Sequence, residues 1–295
     1  MSDAEETVSG EAIPTACPVT LDVPVARPIL ADDVPIAPPT TDPMLLPLTS
    51  RRSALLDVGG LILLLILFDL ASGVFLGFAL GVDVDSAEAA TEADRTAMRR
   101  TMLVPTLILR AMGAIAAVTL ILRRRRQSFR SVGLGRAGFG VDVLIGVAGV
   151  TVLYALILFL MAGVWMLRPQ LPDEMRENAD RILELVPRLS PIGLAALSVA
   201  VGVYEELIFR GFLMTRLRRA TQSWPAAVVL STVVFTSLHA IDQVSIALVA
   251  IAVLSLVLSA VTIWRRSLVP AIVAHFLWNL SQFLWLQYQA GSLWK

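Results

Sequence analysis

Seven apolar stretches follow one another between residues 55 and 288, and each has about the length of a helix that crosses a lipid bilayer, ~20 residues. They are 55–82, 102–122, 141–167, 191–215, 225–242, 244–264 and 268–288. Only 16% of the residues are charged, whereas soluble proteins carry about a quarter. The stretches also lack the polar faces at helical period that helices of a soluble protein show. The sequence therefore predicts an all-α fold, a polytopic transmembrane helix bundle of about seven spans.

The first 50 residues have a different composition. They hold nine of the sixteen prolines, eight acidic residues, one basic residue and no aromatic residue. Such a segment cannot bury a core, so we expect residues 1–50 to be a disordered Pro-rich acidic tail. Residues 289–295 are predicted to be a short carboxyl-terminal tail. The single cysteine, Cys17, excludes an internal disulfide and a cysteine-based metal cluster.

The basic residues predict an orientation, since loops on the cytoplasmic side carry an excess of Lys and Arg. With the amino terminus inside, thirteen arginines fall on the cytoplasmic side and eight basic residues on the other. The thirteen are Arg51, Arg52, Arg123, Arg124, Arg125, Arg126, Arg130, Arg136, Arg216, Arg218, Arg219, Arg265 and Arg266. Of the 24 basic residues, 23 are arginine, which favours a bacterial source and its cytoplasmic membrane. Segment 168–190 is predicted to form a short amphipathic helix on the outer side.

Ionisable residues inside a span cost about 2.5–3.5 kcal/mol each on insertion scales, so each needs a reason. Asp69 in the first span and Arg110 in the second are predicted to form a structural ion pair between neighbouring helices.

The fourth span holds a denser group. Glu205 and Glu206 are adjacent, and two carboxylates side by side cannot easily both ionise without a cation. Arg210 lies four residues after Glu206, on the same helical face, and is predicted to pair with it. Glu205 points about 100° away, which leaves its carboxylate available for chemistry.

Both histidines of the chain lie in spans. His239 follows Phe235 by four residues, and His275 precedes Asn279 by four. A pair at i, i+4 shares one face, so the second pair presents an imidazole and an amide together. The fourth and fifth spans form a hairpin, and the helical rise puts His239 level with the two glutamates. His275 and Asn279 come out somewhat shallower, and we expect a shared site.

These residues allow more than one function. A carboxylate beside an imidazole deprotonates water, and a second imidazole with an amide stabilises an oxyanion, which together would hydrolyse an amide. Glu205, His239 and His275 would alternatively hold a divalent metal such as zinc. A non-catalytic membrane partner protein could use the same groups as interhelical hydrogen-bond partners. A proton-coupled transporter could use them as a relay, although no internal repeat is visible.

Three motifs in this order resemble the CPBP family, the CAAX protease and bacteriocin-processing intramembrane proteases, also called the Abi family. They are Glu205-Glu206-x-x-x-Arg210, Phe235-x-x-x-His239 and His275-x-x-x-Asn279, with Phe209-Arg210-Gly211 and Pro270-Ala271-Ile272 beside them. The resemblance covers about residues 190–288.

The resemblance implies an all-helical membrane endopeptidase. It makes Glu205 the general base, assisted by His239, with His275 and Asn279 at the oxyanion and with Glu206 and Arg210 in support. The family has been described both as metalloproteases and as glutamate-dependent enzymes, so both mechanisms stay open.

The predicted organisation is thus the tail, three membrane helices with the outer amphipathic segment over 51–190, and a catalytic core over 191–288. The expected partners are a membrane-associated protein or peptide substrate and the lipid bilayer, with no nucleic acid. The cofactor is a divalent metal or none.

Overall fold

The computed structural model describes residues 50–79, 81, 91–135, 138–240 and 243–291. Most of the predicted acidic tail, residues 1–49, lies outside the described residues, as do residues 292–295. The described residues form nine α-helices and no β-strand, which confirms the all-α fold. The helices are α1 (Arg51–Ala79), α2 (Glu92–Arg124), α3 (Phe139–Leu167), α4 (Leu171–Leu185), α5 (Pro191–Glu206), α6 (Met214–Thr221), α7 (Trp224–His239), α8 (Ser245–Arg265) and α9 (Val269–Gln289). A 3₁₀ turn spans Phe129–Val132, and a π-helical segment, Leu207–Leu213, joins α5 to α6 without a break.

Six helices in the described part of the chain are long and apolar enough to cross a membrane. They are α1, α2, α3, the continuous helix from α5 through α6, α8 and α9. The chain is therefore an integral multi-pass membrane protein. The predicted span 225–242 is shorter than expected, because α7 ends at His239 after 16 residues. At 1.5 Å per residue it is about 24 Å long, less than the ~30 Å of a hydrocarbon core.

Helix α2 starts ten residues before the predicted span at 102. Thr91 accepts a hydrogen bond from the Asp94 backbone N–H, and the Asp94 carboxylate accepts one from Thr91 N–H. This capping box satisfies two backbone donors at the start of the helix. Because the first two turns are polar, hydropathy alone gives no sign of them.

The arginine-rich helix ends meet on one side of the bundle through two buried aspartates that we did not predict. Asp57 of α1 accepts a hydrogen bond of 2.7 Å from Arg125, just past α2, and lies 3.9 Å from Arg216 of α6. Asp142 of α3 accepts one of 2.9 Å from Arg265 of α8. The predicted assignment of this side to the cytoplasm stays a prediction.

At the opposite side, α4 is the predicted amphipathic segment. The side-chain oxygen of Asn178 accepts a hydrogen bond from the Val244 backbone N–H ahead of α8. Arg100 of α2 donates to the backbone carbonyls of Leu183 and Glu184. These contacts hold α4 against the beginnings of α2 and α8.

Helix α9 packs closely against α3 and α5. At Gly146 of α3, a Cβ atom would lie 2.7 Å from the Pro270 carbonyl oxygen of α9, so only glycine allows this approach. Buried side chains form two clusters, one among α1, α2, the π-helical segment and α7, the other among α3, α8 and α9.

Candidate active site

Glu205 and Glu206 are the last two residues of α5, and the π-helical segment follows them directly. Segments of this kind are rare and occur frequently at functional sites. Arg210, within it, donates a hydrogen bond of 2.7 Å to Glu206 Oε1, and both side chains are fully buried. The predicted i, i+4 ion pair is thus present. The Arg210 guanidinium also stacks on the ring of Phe235, 4.4 Å from its centroid.

The segment packs tightly around this pair. A Cβ atom at Gly211 would lie 2.9 Å from the Val132 carbonyl oxygen and 2.9 Å from Leu268 Cδ1. Ser231 of α7 donates a hydrogen bond to the carbonyl of Phe209. Glycine at position 211 therefore lets the π-helical segment contact the 3₁₀ turn directly.

His275 connects α9 to both carboxylates. Its Nδ1 lies 2.7 Å from Glu206 Oε1, and its Nε2 lies 3.6 Å from Glu205 Oε2. Glu206 Oε1 also accepts a hydrogen bond from Arg210, and a carboxylate oxygen only accepts, so His275 Nδ1 is the donor in this contact. With a proton on Nε2 as well, the ring would also present an N–H toward Glu205 Oε2. The helical rise suggested that His275 is shallower than the glutamates. In the structure it lies level with them.

His239 of α7 is held by a backbone carbonyl of its own helix. Its Nδ1 lies 2.8 Å from the Phe235 carbonyl oxygen, and a carbonyl only accepts, so Nδ1 carries the proton. In the neutral ring Nε2 is then left with its lone pair, as a proton acceptor. The Phe235 ring packs against both imidazoles, with centroid distances of 4.6 Å to His239 and 6.3 Å to His275.

Tyr204 is a site residue that the sequence analysis missed. Its hydroxyl donates a hydrogen bond of 3.2 Å to Glu205 Oε1. The other oxygen, Glu205 Oε2, is buried and has no hydrogen-bond partner among the described residues. Spacing carries no sign of this contact, because neighbours in a helix do not face each other.

A cavity of about 310 Å³ lies between the two buried clusters. Its polar lining includes Tyr204, Glu205, His239, His275 and Asn279, so it brings four of the six predicted site residues to one surface. Glu206 and Arg210 are not part of the lining and lie behind it, fully buried. The remaining lining is mostly apolar, and Met175, Asn178 and Ile182 of α4 border the cavity on the side away from the arginine-rich helix ends.

Glu205, His239 and His275 are the predicted ligands of a divalent metal. Zinc sites in enzymes use three protein ligands. Within the described part of the chain, no three His, Cys, Asp or Glu side chains are grouped so as to hold a metal ion. The described side chains as they lie do not fit such a centre.

The other intramembrane charges lie apart from the cavity lining. Arg110 donates hydrogen bonds of 3.1 and 3.2 Å to the two Asp69 oxygens, so the predicted interhelical ion pair is present. On the surface of the bundle, the Arg110 side chain is 48% exposed and the Asp69 side chain 43%.

Comparison with protein families gives one match. Residues 187–281 match the family described as Rce1-like, type II CAAX prenyl endopeptidase Rce1-like. No significant match to the chain is found among curated proteins or among solved structures. The matched range contains all six predicted site residues and Tyr204, but not α1 to α4. The match over residues 187–281 confirms the resemblance of the three motifs to the CPBP family of intramembrane proteases.

Proposed function

We propose that this chain is an intramembrane endopeptidase that hydrolyses a peptide bond with a water molecule activated by Glu205. The observation that carries the proposal is the set of contacts around the Glu205 carboxylate. One oxygen is held by Tyr204, and the other is buried without a hydrogen-bond partner among the described residues, in a cavity shared with two imidazoles and an amide. A carboxylate so held is suited to take a proton from water.

In the proposed reaction, Glu205 removes a proton from water while the unprotonated Nε2 of His239 orients the same molecule. The resulting hydroxide attacks the carbonyl carbon of the peptide bond. His275 Nε2–H and the Asn279 amide then donate hydrogen bonds to the oxyanion. The side chain of Asn279 makes no hydrogen bond within the described ranges, so its donors are available. Glu205 passes its proton to the leaving nitrogen as the carbon–nitrogen bond breaks.

Glu206 and Arg210 have a supporting role in this account. The Glu206 carboxylate accepts from His275 Nδ1 and so fixes which way the imidazole faces. Arg210 supplies the opposite charge beside the buried Glu206 carboxylate, in a place without solvent. Neither residue needs to touch the substrate.

The substrate that suits this cavity is an apolar stretch of polypeptide at the membrane. Apart from the site residues the lining is largely apolar, and the described residues contribute no Lys or Arg side chain to it. The name of the matched family refers to prenylated CAAX proteins. For this chain we propose an apolar, membrane-associated peptide segment, and prenylation is not required by the lining.

The orientation and source belong to the same proposal. We expect the amino terminus in the cytoplasm of a bacterium, because the arginine-rich ends of α2, α6 and α8 lie together on one side. Reporter fusions at the two ends of the described chain test this. The orientation would be contradicted if a reporter that works only outside the cytoplasm were active when fused to the amino terminus.

The function is tested with the purified chain in proteoliposomes and a library of internally quenched apolar peptides. We expect wild type to cleave some members, Glu205→Gln to cleave none, and both to fold alike. Glu177→Gln is the matched control, because Glu177 is an exposed glutamate of α4 paired with Arg181. Full activity of Glu205→Gln would overturn the general-base role. Solute or ion flux through the wild-type chain, without proteolysis, would favour a transporter.

The same cleavage assay is repeated after metal ions are removed with a chelator. The glutamate mechanism predicts activity that survives exhaustive chelation, with no stoichiometric metal by elemental analysis. Loss of activity on chelation and its return with zinc would show the metal-dependent alternative.

A further inference from the structure

Gln282 of α9 is a polar side chain of the cavity lining that the proposed reaction does not use. It lies three residues after Asn279 and seven after His275, and all three line the cavity on the same helical face. Gln282 is one residue beyond the segment that matches the family. Its partner, Tyr154, is on α3, far outside that segment.

A chain of hydrogen bonds fixes which end of the Gln282 amide faces inward. Ser281 Oγ donates its one proton to the Trp278 carbonyl at 2.8 Å. The bond between the Tyr154 and Ser281 hydroxyls must then use the proton of Tyr154. The Tyr154 oxygen is left only as an acceptor, and Gln282 Nε2 donates to it at 3.0 Å. Counting donors thus assigns the amide nitrogen to the Tyr154 side.

The carbonyl oxygen of Gln282, Oε1, receives no hydrogen bond in this arrangement of the described residues. Nε2 has a partner, but Oε1 accepts no hydrogen bond from any described residue. The Tyr154 ring packs against Trp278, with centroids 4.7 Å apart, and this contact limits movement of the chain that orients the amide. This oxygen is not among the buried side-chain atoms without a partner in the described residues, so it is open to a donor that a ligand brings into the cavity.

We propose that Gln282 Oε1 accepts a hydrogen bond from a backbone N–H of the substrate peptide, an inference that rests on the proposed protease function. A peptide N–H is an uncharged donor that every non-proline residue carries, so this contact holds the strand without selecting side chains. The oxygen of a substrate carboxylate would find only another acceptor here.

The distance along α9 predicts which N–H it is. Seven residues of helix between His275 and Gln282 span about 10.5 Å. For a peptide that runs extended alongside α9 and advances about 3.3 Å per residue, Gln282 contacts an amide about three residues from the bond that is cleaved. Tyr154 acts as a positioning residue, since it orients the amide without touching the peptide.

The test is a backbone ester scan of a peptide whose cleavage depends on Glu205. Each analogue replaces one N–H by oxygen and leaves the side chains unchanged. In wild type we expect one ester, two to four residues from the cleaved bond, to lower kcat/KM roughly 3- to 10-fold, the effect of one hydrogen bond. In Gln282→Met the same ester should cost nothing, because the acceptor is already absent. In Tyr154→Phe its cost should be reduced, with folding unchanged.

The outcomes separate the two proposals. If wild type cleaves no peptide, the proposed function fails and this inference fails with it. If cleavage depends on Glu205 but every ester costs the same in wild type and in Gln282→Met, only the Gln282 contact is overturned. If Gln282→Met does not fold, an ester cost in Tyr154→Phe equal to that in wild type overturns it as well.

Discussion

Asp69 with Arg110 and Glu206 with Arg210 are both carboxylate–guanidinium pairs in membrane helices, with contacts of 3.1 and 2.7 Å. The first joins two helices at the surface of the bundle, and its side chains are about half exposed. The second lies within one continuous helix and is fully buried, with His275 as a further partner. A buried pair needs additional hydrogen bonds to offset desolvation. The partners of the second pair also build the cavity wall, whereas neither residue of the first pair is in the cavity lining.

The largest expected effect follows from breaking the buried pair. Arg210→Met leaves Glu206 uncompensated in the interior, which we expect to lower the free energy of unfolding by about 3–5 kcal/mol. Unfolding in detergent measures it. The matched control is Arg181→Met, which breaks an exposed i, i+4 pair with Glu177 and should cost less than about 1 kcal/mol. Equal losses in the two variants would remove the distinction between buried and exposed pairs.

The next effect concerns the hydrogen bond that holds Glu205. Tyr204→Phe removes a donor to a charged acceptor, so we expect kcat to fall about tenfold or more with KM unchanged. Tyr288→Phe, at an exposed tyrosine of α9, is the control. A rise in KM alone would show that Tyr204 binds substrate and does not position the base.

A smaller effect tests the packing around each pair. Gly211→Ala places a methyl group 2.9 Å from the Val132 carbonyl, and we expect it to destabilise the protein by about 1–3 kcal/mol. Gly73→Ala, four residues after Asp69, meets nothing within 4 Å and should be neutral or stabilising by up to about 1 kcal/mol. Thermal unfolding compares the two variants, and a neutral Gly211→Ala would contradict the close packing.

The smallest effect is expected from removing the surface pair altogether. In Asp69→Leu/Arg110→Leu both charges disappear together, so no group is left unpaired, and stability should be unchanged or higher. Peptide cleavage should also be unchanged, because neither residue lines the cavity. A loss of cleavage with normal folding would connect this pair to the site.

The parts of this site that could be predicted depend on spacing along one helix. Glu206 and Arg210 are four residues apart, and the contact follows from the period of the helix. The histidines stood out because the chain has only two. Which atoms meet across helices was not predictable, and this includes His275 bridging both carboxylates and Tyr154 orienting Gln282.

Hydropathy predicted the helices but not all of their ends. It missed the polar start of α2, where a capping box and not apolar residues begins the helix. It also placed the end of the fifth span at 242, whereas α7 ends at His239. Asp57 and Asp142 gave no sign of their arginine partners, which lie 68 and 123 residues away in the chain.

The central claim is that Glu205 drives peptide hydrolysis in the membrane. The most direct measurement compares newly formed peptide termini, by mass spectrometry, in membranes that contain wild type, Glu205→Gln or Glu177→Gln at equal levels. We predict a set of termini, in apolar segments of membrane-associated proteins, that is present with wild type and Glu177→Gln and absent with Glu205→Gln. The same termini in all three membranes would contradict the claim.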